Sequence, residues 1–249
     1  LFWTGVYFAL CSLMICFIRY RSSALKEIKN IGKEGVLIGC LTGLGGATFI
    51  LAIHYTTLAK TLVIISASPL MVALVSFFLL KEKPKLFTWL AMVIVFFGIY
   101  IVMSGDTSGV NLKGSLFALA SVTTGGFSFT LLRKYKEVNM VPAMAINGLF
   151  ITTVGLLFAE SLVLSSQAMT YIIISSILVA ISITLITIAP QYIPAQEVAI
   201  FFPMGTVIGT LLAWLVLKEE LSSNAVFGGI IVILTLFIHS IYSARHSKN

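Results

Sequence analysis

The sequence predicts an all-α integral membrane protein: two inverted repeats of five transmembrane helices, a ten-helix design whose first helix is absent from this chain. Three observations predict it. The chain is 59% hydrophobic and only 10% charged, with mean hydropathy +1.06, whereas a soluble domain carries about 25% charged residues. Ala52–Pro84 and Ala189–Leu221 align at a constant offset of 137 without a gap, pairing Ala52 with Ala189, Tyr55 with Tyr192, Leu80 with Leu217, Lys81 with Lys218 and Glu82 with Glu219. A gapless self-match that ends on the same Leu-Lys-Glu stop reads as an internal duplication. The basic residues, finally, fall almost entirely in alternate loops.

A transmembrane helix needs roughly 20 predominantly apolar residues. Segments of that kind occupy 1–19, 35–58, 61–80, 86–104, 112–132, 142–164, 169–190, 198–217 and 224–243. Their connections are short except for 20–34, 105–111 and 133–141, and no polar linker interrupts them. Subtracting 137 carries 142–164 close to the first segment and 169–190 onto the second, while 112–132 lands upstream of Leu1. The expected repeats are therefore 1–105, holding helices two to five, and 112–244, holding helices six to ten. The duplication calls for one further helix ahead of Leu1. Beyond the opening match, Ile94 meets Ile231, Val95 meets Val232 and Ile101 meets Ile238.

Charge orients the chain. Thirteen of the 16 basic residues lie after the segments at 1–19, 61–80, 112–132 and 224–243, and only Lys60, Lys113 and Lys218 lie on the other side. Basic loops stay cytoplasmic, which places the C-terminus in the cytoplasm and the protein in the cell (inner) membrane. The net charge of +7 is thereby a matter of membrane orientation, and nucleic acid is not an expected partner. An odd number of helices per repeat turns the second copy upside down, an arrangement common in secondary transporters. Cys11, Cys16 and Cys40 show no CxxC spacing and read as small apolar side chains. No signal peptide is visible ahead of the first apolar run.

Several helix faces invite a closer look. Gly35, Gly39, Gly43 and Ala47 recur every four residues, as do Gly205, Gly209 and Ala213. Small residues at that spacing let helices approach closely, as packing or as a sliding contact. Ser121, Thr124, Gly125 and Ser128 share one face, and Ala180, Thr184, Thr187 and Gln191 another. Such hydroxyls line a wet cavity or bond the carbonyl four residues back. Pro69, flanked by Ser66 and Ser68, and Pro203 each stand about a third of the way along a segment. There a proline interrupts the helix and frees a carbonyl.

Few other polar groups lie at membrane depth. Asn147 offers an amide, suited to a zwitterionic or amide substrate or to an interhelical bond. His54 and Gln191 occupy equivalent places, each preceding a tyrosine, Tyr55 and Tyr192; these pairs are substrate-cavity or interfacial residues. Glu160, near the outer end of its segment, and Glu197, at the start of one, are the candidates for proton coupling, although Glu160 could reach water and helix starts favour carboxylates anyway. His239 has no acidic neighbour in sequence and receives no role.

The hairpin pattern Tyr-x-x-A, P-x-x-x-x-L, L-x-E resembles the EamA-type transporters of the drug/metabolite transporter superfamily. Tyr55, Ala59, Pro69, Leu74 and Glu82 carry it in the first copy, and Tyr192, Leu211, Glu219 and Leu221 in the second. Thr206 stands where the family often has proline, and Lys81 and Lys218 replace a common glycine. The resemblance implies a permease or exporter of small metabolites, amino acids or drugs, with its substrate in a central cavity. It carries over no catalytic residue.

The expected function is secondary transport, lined by His54, Tyr55, Ser66, Ser68, Thr124, Ser128, Asn147, Thr187, Gln191 and Tyr192. The expected partners are a small-molecule substrate and the bilayer, with a homodimer left open as an assembly. No cofactor or metal is expected. The chain has no GxxxxGK[ST] for a nucleotide and no HExxH, and Asp106 is its single aspartate. A membrane-embedded enzyme is therefore disfavoured. A lipid or lipid-precursor flippase of the same fold is the closer alternative.

Overall fold

The structure, a computed structural model, describes residues 1–81, 84–104, 109–159, 162–192, 195–218 and 222–246, without the side chains of 109–111, 190–192, 195–204, 217 and 243–246. Its helices are α1 (Phe2–Tyr20), α2 (Ala24–Asn30), α3 (Gly32–Tyr55), α4 (Leu58–Ile65), α5 (Ser68–Leu80), α6 (Leu86–Ser104), α7 (Gly109–Lys134), α8 (Ala143–Phe158), α9 (Ser166–Tyr192), α10 (Ala195–Leu217) and α11 (Ser223–His246). Among the described residues there is no strand. Among the described residues seven spans are long and apolar enough to cross a membrane, with α1 and α2 counted together as one and α4 and α5 as another. The chain is a multi-pass membrane protein.

The repeat is visible in the helix ends. Shifting α4–α5, Leu58 to Leu80, by 137 gives 195 to 217, the bounds of α10. Among the described residues two of the three non-glycine residues with positive φ are a repeat-related pair: Lys81 at 55° and Lys218 at 52°. Lys81 caps α5 in the left-handed conformation, and its N–H returns to the carbonyl of Ser76. Glycine adopts this conformation without a Cβ penalty and is the usual residue there.

Two compact units form, and each draws on both repeats. The first comprises Leu1–Ala47 and Leu131–Ile193, the second Thr48–Thr130 and Pro194–Asn249. In the first, α1 packs on its own repeat equivalent, α8. A Cβ added at Gly148 would meet the Ala9 nitrogen and Cα at 2.5 and 2.6 Å; at Gly5 it would strike Thr152, and at Gly155 it would strike Phe2. Residue numbers fall on one helix as they rise on the other, so the pair is antiparallel. Gly39 and Gly43 of α3 press on α8 as well, against Ile146 and Phe150. Phe8, Ile38, Leu132, Met140 and Met144 form the core.

The second unit repeats the device. In α6 and α11, again repeat equivalents, Gly98 lies against Val232, Gly228 against Val102, Thr88 against His239 and Asn224 against Ser104. This pair is antiparallel too. The matched residues Val95 and Val232 are both buried in one core cluster with Ile64, Leu70 and Leu236. Equivalent helices running in opposite directions are what an inverted repeat requires.

Three features differ from the sequence expectations. The 20–34 connection is a 3-10 turn (Arg21–Ser23) followed by α2, whose Ala24 is fully buried. Its good helix formers and inward alanine explain the element. The segment at 142–164 is helical only to Phe158, and Ala159 is extended. Of the two expected proline breaks only the first occurs. Pro69 sits in the first turn of α5 after a turn at Ser66–Ala67, where a missing N–H costs nothing. Pro203 is the counterpart of Ser66, not of Pro69, and α10 runs through it. One lost bond leaves hydrogen-bonded helix on both sides.

Replacing Gly148 by Ala is expected to destabilise the protein by about 1–3 kcal/mol, because the obstructing atoms are backbone, as measured by thermal unfolding in detergent. Lys81→Gly and Lys218→Gly are each expected to raise stability by about 1 kcal/mol by removing the left-handed penalty.

Candidate functional site

In the second unit, α7 carries Phe117, Ser121, Thr124, Gly125 and Ser128 along one side. Its neighbouring side packs on α5: Gly126 lies against Met71, and the Thr130 hydroxyl is 3.3 Å from that of Ser76. At Gly125 an added Cβ would meet nothing within 4 Å, so the polar stripe borders open space. The Ser128 oxygen is buried and has no hydrogen-bond partner among the described residues. Thr124 donates to the carbonyl of Ala120 at 2.8 Å, so its hydroxyl is satisfied by its own helix. Tyr55 closes one end of the stripe, stacked on Phe117 at 5.8 Å, with His54 edge-on to it at 5.0 Å.

Ser66 and Ser68 flank the α4–α5 turn. Each donates to a carbonyl three residues back, Val63 and Ile65, at 2.5 Å. Hydroxyls that compete for these carbonyls weaken a helix locally, which fits the break between α4 and α5. Their role is thereby structural at the turn, and their donors are spent.

Asn147, on α8 in the first unit, is 5% exposed. Its Oδ1 has no partner among the described residues; Gly46 of α3 lies beside it, where an added Cβ would be 2.9 Å from Ile151 Cδ1 and 4.0 Å from that oxygen. A buried amide oxygen left unpaired costs about 1–3 kcal/mol. Ser12 and Ser176 add two further unpartnered buried hydroxyls to this unit. Thr187 donates to Ile183, as Thr184 does to Ala180, both at 2.7 Å. Gln191 and Tyr192 end α9 and Glu197 lies in the first turn of α10, but their side chains are outside the description, and Glu160 falls outside the described residues.

Two polar groups to which the sequence reading gave no site role are placed by the structure. Lys60, 7% exposed, is buried one turn into α4, where its N–H meets the Thr57 cap at 3.3 Å. A lysine inside an apolar run is the signal that marks it, since ionisable groups at membrane depth are rare and expensive. His239 finds a partner far away in sequence, Thr88, at 3.1 Å, and lies parallel to Phe87 at 6.1 Å. Among the described residues no cluster of His, Cys, Asp and Glu could hold a metal ion.

The model of the EamA-like transporter family matches residues 1–104 and 112–241. The chain belongs to the EamA-like transporter family. A protein of Methanothermobacter thermautotrophicus (strain Delta H), described as "Uncharacterized transporter", is 23% identical over 209 residues, 80% of this chain. The chain spans 58% of that relative's length. A crystal structure covers 98% of this chain and 88% of its own with TM-score 0.69 at 15% identity, a likeness of fold.

For an EamA-like transporter the useful polar atoms are those that the protein itself does not satisfy. By that criterion Ser128 and Asn147 stand apart from Ser66, Ser68, Thr124 and Thr187. Asn147→Leu removes the unpaired oxygen at similar shape. It is expected to leave thermal stability in detergent unchanged or raise it by about 1 kcal/mol.

Proposed function

We propose that this membrane transporter is a secondary carrier, moving a small organic metabolite, amino acid or drug outward across the cytoplasmic membrane by alternating access. The observation that carries the reading is the antiparallel pairing of repeat-equivalent helices within each unit, α1 with α8 and α6 with α11. An inverted duplication supplies two nearly equivalent conformations facing opposite sides, which is the working principle of such carriers. The chain has no Walker A motif, so the drive comes from an ion gradient or from the substrate's own gradient.

In this reading Asn147 of the first unit and the Ser128–Gly125 stripe of the second are each, taken separately, candidate substrate contacts. An unpaired amide and hydroxyl are recovered as hydrogen bonds only when a polar solute binds. Glu160 and Glu197 are the groups through which a proton would couple, and the C-terminus faces the cytoplasm.

The test is flux of labelled amino acids, amines and lipid precursors in liposomes holding the full-length protein. Saturable flux of one small solute is expected, with Asn147→Leu lowering its kcat/KM about fivefold to tenfold, the value of one or more hydrogen bonds. Lipid movement with no saturable solute flux would overturn the proposal in favour of a flippase. Glu160→Gln that keeps both gradient-driven accumulation and its pH dependence would remove that residue from coupling.

A further inference from the structure

We infer that the α1–α2–α3 corner of the first unit is a docking surface for an anionic phospholipid of the cytoplasmic leaflet. α1 ends at Tyr20, and the chain corners at Arg21 (φ 44°) and again at Gly32 (φ 60°). Between these corners lie the 3-10 turn and α2. Ala24 and Ile31 are buried, and Asn139 Nδ2 donates to Glu27 Oε2 at 2.9 Å while Tyr20 donates to Asn139 Oδ1 at 3.1 Å. The α2 segment is thus pinned to the end of α1 and to the loop before α8.

Ser22, Ser23, Leu25, Lys26, Lys29 and Asn30 are exposed. On α2, Lys29 lies four residues from Leu25 and three from Lys26, so the three share one helical stripe. Arg21 is exposed beside it, in a backbone conformation that favours glycine. Arg21, Lys26 and Lys29 have no ion-pair partner among the described residues, and Glu27, the acid on the same helix, is held by Asn139. Arg19, Lys33, Lys134 and Lys136, also exposed, lie on the segments that meet at this end of the unit.

Chemistry selects the occupant. Arg21 follows directly on a membrane span, so the cations sit at headgroup level, where basic clusters attract anionic lipid. Leu25, 65% exposed, lies on the same stripe as the lysines. An apolar foot beside cations matches the headgroup–acyl boundary and gives a soluble polyanion nothing to bind. The inverted counterpart of this segment, residues 158–167 (FAESLVLSSQ), has no Lys or Arg, as expected of a loop on the opposite side.

The test titrates phosphatidylglycerol, phosphatidylcholine or inorganic phosphate onto the purified full chain in neutral detergent, read by native mass spectrometry and thermal shift. Phosphatidylglycerol is expected to bind and raise the melting temperature; phosphatidylcholine and phosphate are not. Lys26→Gln with Lys29→Gln should weaken phosphatidylglycerol about tenfold or more, and added salt should weaken it further. Arg21→Gly should weaken binding while leaving the lipid-free melting temperature unchanged or higher, separating lost contact from lost fold. The charge-matched pair Lys81→Gln with Lys113→Gln, both in the second unit, should stay within about twofold. Equal losses in that pair, equal binding of phosphatidylcholine, or full competition by inorganic phosphate would each overturn the proposal.

Discussion

Everything in this fold depends on backbones that touch. Lipid is as apolar as leucine, so no hydrophobic force drives one spanning helix onto another, and close van der Waals packing takes its place. The glycines sit where that packing is closest. Gly148 admits the backbone of Ala9, and Gly98 and Gly228 admit each other's helix. Both contacts join a helix to its own repeat equivalent, so the duplication does more than double the chain. It creates the surfaces by which the halves recognise each other, and each compact unit is a joint product of both repeats.

A second constraint acts on the polar groups. A hydroxyl in lipid that finds no partner is expensive, and most here turn back to their own helix, as Thr42, Thr123, Thr152 and Thr235 do. A stripe of serines and threonines therefore says little about a cavity until these local bonds are set aside. Once they are, the remainder is small, and it includes an amide in one unit and a hydroxyl beside open space in the other. Both are buried and have no hydrogen-bond partner among the described residues.

Much of the fold was legible because its signals are long-range regularities: apolar runs of membrane length, a gapless offset, and charge confined to alternate loops. Each of the nine apolar segments has its helix. Short-range features were harder. Pro203 looked like Pro69 by its place along a helix, yet its counterpart is Ser66, and the register rather than the residue type decides the outcome. α2 was invisible because fifteen residues, 20–34, with four cations read as loop; a buried alanine and a carboxylate–amide bond to residue 139 give it an inward face. Of the candidate site, Asn147 could be picked out, but not that its oxygen would be unpaired. The satisfaction of Ser66 and Ser68 likewise depends on geometry that no spacing encodes.

The pairing of α1 with α8 also has a consequence in time. Ala9 and Gly148 are separated by 139 residues, and a ribosome adding about 5–20 residues per second takes roughly 7–28 seconds to cover that distance. For that interval α1 stands in the bilayer with its glycine-shaped seat empty, and α6 waits almost as long for α11. The first half of the protein thus lacks these two contacts until its inverted copy arrives. Any factor that shields half-made membrane proteins has its opportunity in those seconds.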